Sequence, residues 1–202
     1  MGTTRIRAQS TPLTVTGVEV ERQWRAHPRL RLPARIGAWH AIHDRYDRLV
    51  DHYYDTSDMQ LDGHRARLRL RRAGAGEVAT LKRRVASSGG LRRSIEIEGP
   101  FDDDPETSVA FVAARLLTLN PLLEIGRIVT ARSTRVYANA ERTLEVVRDC
   151  VSYPVGDDEW RLEAEGAICD VEEIARLLER LPLGLAPVRC GKVQTLLRRC
   201  AA

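Results

Sequence analysis

Three pairs of glutamates, each separated by one residue, carry the first chemical signal: Glu19-Val20-Glu21, Glu96-Ile97-Glu98 and Glu163-Ala164-Glu165. On an extended chain, residues two apart point to the same face. Like charges so placed repel unless a cation sits between or opposite them. Carboxylates gathered in this way are hard oxygen ligands of the kind Mg2+ and Mn2+ take. Basic residues recur at the same spacing. Arg65, Arg67, Arg69 and Arg71 alternate with Ala66, Leu68 and Leu70, and Thr80, Lys82 and Arg84 alternate with Ala79 and Leu81. Arginine grips phosphate oxygens in a planar, bidentate fashion, so such a ladder suits a row of phosphates.

The positive charge is concentrated. Residues 65–84 hold eight basic side chains and one acid, Glu77, while the 202-residue chain as a whole carries only +4. Taken alone, that stretch reads as a solvated surface hairpin. The glutamate pairs change the reading, because they supply the matching negative faces. Net +4 is too mild to specify nucleic acid. Two Phe and five Tyr give no set of platforms for stacked bases, and a nucleic-acid partner would leave the glutamate pairs unexplained. Cys150, Cys169, Cys190 and Cys200 form no C-x-x-C pair, which points to reduced thiols rather than a zinc site or disulfides. The N-terminus lacks the apolar core of a signal peptide and no run approaches a membrane span. The expectation is a cytoplasmic protein that engages no membrane, as monomer or homodimer. No Walker A or G-x-G-x-x-G motif is present, so those phosphate-cradling loops are not the basis of binding.

These side chains need strands to hold them. Residues 1–14 read as a loose tail, and 15–202 as one domain. A strand over 18–24 puts Glu19, Glu21 and Gln23 on one face. Residues 27–48 read as a loop with one or two short helices anchored by Trp39, and 49–54 as a strand stopped by Asp55-Thr56-Ser57-Asp58. The basic hairpin follows, turning at 73–76. A strand over 92–98 carries Arg92, Ser94, Glu96 and Glu98 on one face. The acids at 102–106 read as a helix start, complementing the dipole of a helix over 109–119. Strands are expected over 128–138 with Arg132 and Arg135, over 144–151 with Glu145, Val147 and Asp149 on one face, and over 159–166. An amphipathic helix covers 170–181, with Asp170 as its N-cap, and a last short helix starts near Gly191. About eight strands with a charged face opposite an apolar one imply an α+β fold. A closed barrel would allow the charged faces to line a polar tunnel, with helices covering the apolar outside. A linear triphosphate with Mg2+ or Mn2+ fits such an interior. Phosphoryl transfer asks chiefly for positioning and charge neutralisation, and a metal can acidify an attacking water.

The ordered series resembles the CYTH superfamily, the triphosphate tunnel metalloenzymes that include thiamine triphosphatases. Glu19-Val20-Glu21-Arg22-Gln23 stands at the family's Glu-x-Glu-x-Lys, Tyr54-Asp55-Thr56-Ser57-Asp58 at its Tyr-x-Asp-Thr segment, and Arg67-Leu68-Arg69 with Thr80-Leu81-Lys82 at its Arg-x-Arg and Thr-x-Lys pair. The resemblance implies an eight-stranded antiparallel closed β-barrel around a tunnel, with helices packed on its outside, and hydrolysis of a triphosphate or polyphosphate, most simply inorganic triphosphate, or cyclic AMP synthesis. It implies that Glu19, Glu21, Glu163 and Glu165 face metal ions, and that Glu145 and Asp149 support a metal or orient the water. Arg67, Arg69, Lys82, Arg84, Arg92, Arg135 and Lys192 would hold phosphates, with Arg132 as the alternative to Arg135, while Glu96 and Glu98 complete the tunnel wall. Gln23 departs from the family lysine. A neutral amide cannot neutralise a phosphate, so the resemblance implies slower or differently selective turnover, or a binding protein without turnover.

Overall fold

The computed structural model describes residues 15–73, 76–88, 90–188 and 190–201; the expected tail over 1–14 lies outside them. The alternating segments form long antiparallel strands: β1 (Val15–Arg25), β2 (Arg35–Ile36), β3 (Trp39–Asp55), β4 (Ala66–Ala73), β5 (Gly76–Ser88), β6 (Leu91–Pro100), β7 (Leu123–Asn139), β8 (Arg142–Ser152), β9 (Glu159–Glu165) and β10 (Ala186–Pro187). Eight of them close a barrel in the order β1-β6-β5-β4-β3-β7-β8-β9, and β9 pairs back onto β1. The short β2 and β10 extend β3 and β1 outside that ring. Four helices accompany it: α1 (Gln60–Gly63), α2 (Val109–Arg115), α3 (Ile168–Arg180) and α4 (Lys192–Cys200). None is long and apolar enough to cross a membrane.

A barrel removes sheet edges and leaves two surfaces to satisfy. The apolar residues of each strand face outward and are covered by helices. Leu144, Val146 and Leu162 pack with Val171, Ile174 and Leu178 of α3, and Leu68, Leu70 and Leu81 pack with Phe111 of α2 and Leu61 of α1. The third cluster is different. Val193 and Leu196 of α4 pack on Tyr53, Ile128, Val151 and Tyr153. Tyr53 and Val193 line the barrel cavity, so α4 lies across one end of the barrel and presents its N-terminus inward. Gly126 makes the approach possible: its φ is 153°, and a Cβ there would stand 2.7 Å from Leu196 Cδ2.

The largest departure from expectation is at 27–48. Instead of short helices, the chain forms β2 and the first half of a 17-residue β3, with Trp39 fully buried as the expected anchor. Residues His40 to Leu49 are mostly exposed on both faces, so no alternation marks them. Their strand state comes from pairing with β7 at nine register positions between His40 and Leu49, a tertiary effect that overrides weak local preference. The helix over 109–119 is shorter than expected, ending at Arg115, and the acids before it lie ahead of the N-cap Ser108. Asp170 is in the first turn of α3 rather than at its cap; it is buried and accepts a hydrogen bond from Arg142 at 2.8 Å.

Candidate functional site in the barrel interior

The inward faces enclose a cavity of about 280 Å3. Glu19, Glu21 and Gln23 reach it from β1, Arg67 and Arg69 from β4, Lys82 and Arg84 from β5, and Arg92 and Glu96 from β6. Arg132 enters from β7, Glu163 and Glu165 from β9, and Lys192 from α4. The alternation of the sequence thus becomes one lining.

Its charges sort into two groups. In the first, one carboxylate oxygen each from Glu19, Glu21 and Glu165 lies within 4.8 Å of the others. The Lys82 ammonium sits beside them, bonded to Glu19, 3.5 Å from Glu21 and 3.4 Å from Glu96. Burial pushes the Glu19 carboxyl up; Lys82 opposes this, Glu21 and Glu96 add to it, and the result is about 7. Burial, with the charges of Glu163 and Glu19, brings Glu165 to about 8. A crowded set of hard oxygen donors, in which the ionised forms of Glu19 and Glu165 are disfavoured, fits a divalent cation.

In the second group, Asp149 is fully buried. It accepts two hydrogen bonds from Arg132, at 2.9 and 2.8 Å, and one from Lys192 at 2.5 Å. Glu163, expected among the metal-facing acids, joins this group. It lies 3.3 Å from both Arg132 and Lys192 and accepts from the Gln23 amide at 3.2 Å. Burial would raise its carboxyl, but Lys192 and Arg132 hold it far below the usual range.

Four expected residues stand apart from the lining. Arg135 points outside the barrel, held by Asp44 at 2.6 and 2.7 Å and by the Leu32 carbonyl, so of the two candidate arginines Arg132 is the inward one. Glu98 accepts from Thr80 at 2.8 Å. Glu145 pairs in register with Glu165 on β9, and no hydrogen bond or ion pair ties it to another described residue. Asp149 lies behind Arg132 and Lys192 rather than in the wall.

The sequence reading missed Asp51 and Tyr53. Asp51 is fully buried and bound by both arms of Arg71 at 2.6 and 2.8 Å. Burial would raise it, but Arg71 and Arg69 hold it below its usual range. Its signal was available, since Asp51 and Tyr53 alternate within a run read only as a strand. Asp55 orients the start of β4. Its buried carboxylate accepts from the backbone N–H groups of Thr56, Leu61 and Asp62 at 2.7, 2.8 and 3.0 Å, which fixes α1 ahead of the arginine ladder. In that ladder the buried Arg69 Nε has no partner among the described residues, a donor left for an incoming acceptor.

The fold is thus a closed antiparallel barrel with a charged interior, one carboxylate cluster beside Lys82 and a second held by Arg132 and Lys192. The chain belongs to the CYTH domain family, whose model matches residues 18–177. Among solved structures it is similar to HpAC1 from Hippeastrum, proposed as an adenylyl cyclase and described with a dominant triphosphatase activity. That match has TM-score 0.68 and 16% identity, covering 89% of this chain and 95% of the other. It is also similar to a Bacillus halodurans protein proposed as an adenylate cyclase (TM-score 0.57, 22% identity, 74% and 82% covered) and to PH1819 from Pyrococcus horikoshii OT3 (0.56, 19%, 89% and 98%). At these identities the likeness is one of fold. No curated protein matches the chain by sequence.

Proposed function

We propose that the protein is a divalent-metal-dependent hydrolase of a triphosphate-bearing small molecule, most simply inorganic triphosphate. One observation carries the reading. A cluster of three carboxylates and an arginine ladder with an unpartnered buried donor share a single cavity. Neither feature alone asks for a metal-bound polyanion; together they leave no simpler ligand.

Glu19, Glu21 and Glu165 would hold Mg2+ or Mn2+, which would supply Lewis acidity. Arg67, Arg69, Lys82, Arg132 and Lys192 would bind the phosphates and neutralise their charge as the terminal P–O bond breaks. Asp149 and Glu163 keep Arg132 and Lys192 aimed into the cavity. Both Asp149 oxygens are engaged by these cations, so its part is to position them. Glu145, paired in register with Glu165 and bound to no cation among the described residues, would accept the proton of the attacking water.

A second reading, a binding protein without turnover, is favoured by Gln23, whose amide is neutral and committed to neighbouring side chains. One assay separates the two. Purified protein is incubated with inorganic triphosphate, ATP, thiamine triphosphate and polyphosphate in Mg2+ or Mn2+, with phosphate, pyrophosphate and cyclic AMP measured. Phosphate release from triphosphate supports the hydrolase. Tight binding with no release from any substrate rejects it in favour of the binding protein.

A further inference from the structure

We propose that β3 carries a self-complementary edge through which two copies of this chain pair, with Tyr46 on the two-fold axis, into one continuous antiparallel sheet. The edge is what the barrel leaves over. β3 pairs with β2 only at Trp39 and His40, and with β4 only from Val50 to Tyr54. The Ala41 N–H is taken by the Ala34 carbonyl at 2.8 Å. From Ile42 to Leu49 the strand is paired on one side alone, with β7, among the described residues. Tyr46, at the middle of this stretch, is 79% exposed.

A free edge is a template for another strand, and charged side chains are a common guard against that. They guard by repelling their own copy. The charges on this edge attract it instead. Asp44-Arg45-Tyr46-Asp47-Arg48 is its own complement when the direction is reversed. With Tyr46 on the axis, Asp44 opposes Arg48 of the second copy and Arg45 opposes Asp47 of the second copy. Symmetry makes each contact twice, which gives opposite charges across the strands throughout. Other registers lose this. A slip of one residue sets Asp44 on Asp47 or Arg45 on Arg48. A slip of two sets Arg45 or Asp47 on itself.

The side chains are already placed for such a partner. Alternation puts Arg45 and Asp47 on one face, where they bond each other at 2.8 Å. The second copy would extend that pair into a ring of four alternating charges. On the other face Arg135 holds the Asp44 carboxylate at 2.6 and 2.7 Å, and 41% of the Asp44 side chain stays exposed. Arg48 is exposed, and no other described residue bonds or pairs with it. A strand of another protein would satisfy the backbone equally well, but only a second copy uses a charge order that complements itself.

Sedimentation equilibrium of the full chain, from about 1 μM to about 1 mM, measures the association, since so short an interface gives a weak dimer. The wild type should pass from monomer to dimer within that range. Arg45→Asp makes both positions of the pair acidic and Asp47→Arg makes both basic. Each variant alone therefore sets like charges across the axis and should associate about tenfold more weakly. Mixed in equal amounts, the acidic edge of one faces the basic edge of the other, and dimer should return to the wild-type extent. Both variants lose the internal Arg45–Asp47 pair, and mixing cannot repair that loss. A local disturbance would therefore leave the mixture monomeric. Tyr46→Lys, which sets two cations against each other on the axis, should weaken association by a similar factor and gives a reading independent of that pair. A wild type that stays monomeric throughout overturns the proposal, and is the result expected if a strand of another protein is the occupant. A dimer unmoved by the three variants, or two charge variants that fail to pair when mixed, overturns it as well.

Discussion

The side-chain amide of Gln23 joins two opposite charges: its oxygen accepts from Arg92, and its nitrogen donates to Glu163 at 3.2 Å. Arg92 is on β6 and Glu163 on β9, the two strands that flank β1. The amide is thus the neutral hinge of a three-strand contact. A positive charge stands beside position 23 even though the residue itself has none.

Substituting Gln23→Lys should therefore not restore anything. Lysine keeps a donor for Glu163 but removes the acceptor from Arg92 and sets two cations side by side. A loss on the order of 1–2 kcal/mol in transition-state stabilisation is expected, a several-fold drop in kcat/KM. Adding Arg92→Gln to Gln23→Lys exchanges the charges across the strands and should recover most of it. A rise in kcat/KM for Gln23→Lys alone would show that the charge at 23 was limiting after all.

How far the sequence shows this site follows from what each residue depends on. Glu19, Glu21, Arg67, Arg69, Lys82 and Glu165 were readable because alternation along a single strand fixes their face. The split of the acids was not readable. Glu163 and Glu165 are identical in spacing and type, yet Glu163 is claimed by Lys192 of α4, a partner set by where that helix docks. Arg132 and Arg135 differ by an odd number of positions, so only one can face inward. Which one depended on register with β8, where Arg132 opposes Asp149. The first half of β3 was unreadable for the converse reason: exposed on both faces, it has no period, and only its pairing makes it a strand.

Lys82 would compete with a divalent cation for Glu19 and Glu21. The ammonium lies among the same oxygens that would ligate a metal, and those carboxylates hold the lysine well above its usual range against the effect of burial. Lys82→Met should tighten Mn2+ binding, by about tenfold in the absence of phosphate, because the internal counter-charge is gone. The same variant should weaken tripolyphosphate binding, since a charged donor is lost. Mn2+ titration followed by electron paramagnetic resonance checks the first effect, and calorimetry the second. Weaker Mn2+ binding in Lys82→Met would place the metal elsewhere.

The raised carboxyls give stability a pH dependence of known sign. Glu19 and Glu165 have folded values of about 7 and about 8 against an ordinary 4.5. Between 4.5 and those values the folded state binds more protons than the unfolded one, so stability falls as pH rises through this window and levels off above it. Glu163, shifted downward, acts oppositely and only below its ordinary 4.5. In EDTA, the melting temperature should fall more between pH 5.5 and pH 8.5 in the wild type than in Glu165→Gln. Mn2+ should remove most of the wild-type decline, because it gives the ionised carboxylates a partner. Parallel profiles for the two proteins in EDTA would mean that Glu165 is not shifted.

Glu145 and Asp149, two carboxylates four residues apart on one face of β8, should fail in different ways when neutralised. Asp149 is fully buried between Arg132 and Lys192, so Asp149→Asn leaves two buried cations short of charge. Breaking a buried ionic contact on one side costs about 3–5 kcal/mol, which should appear as a large drop in melting temperature. It should also weaken tripolyphosphate binding as Arg132 and Lys192 lose their aim. Glu145→Gln disturbs no ion pair, so the melting temperature and tripolyphosphate affinity should stay near wild type. If Glu145 accepts the water proton, kcat should fall by about a hundredfold or more, the usual size of a general-base contribution. A Glu145→Gln enzyme with wild-type kcat would move the base to another residue, while the stability difference between the two variants would still report which carboxylate holds the cations.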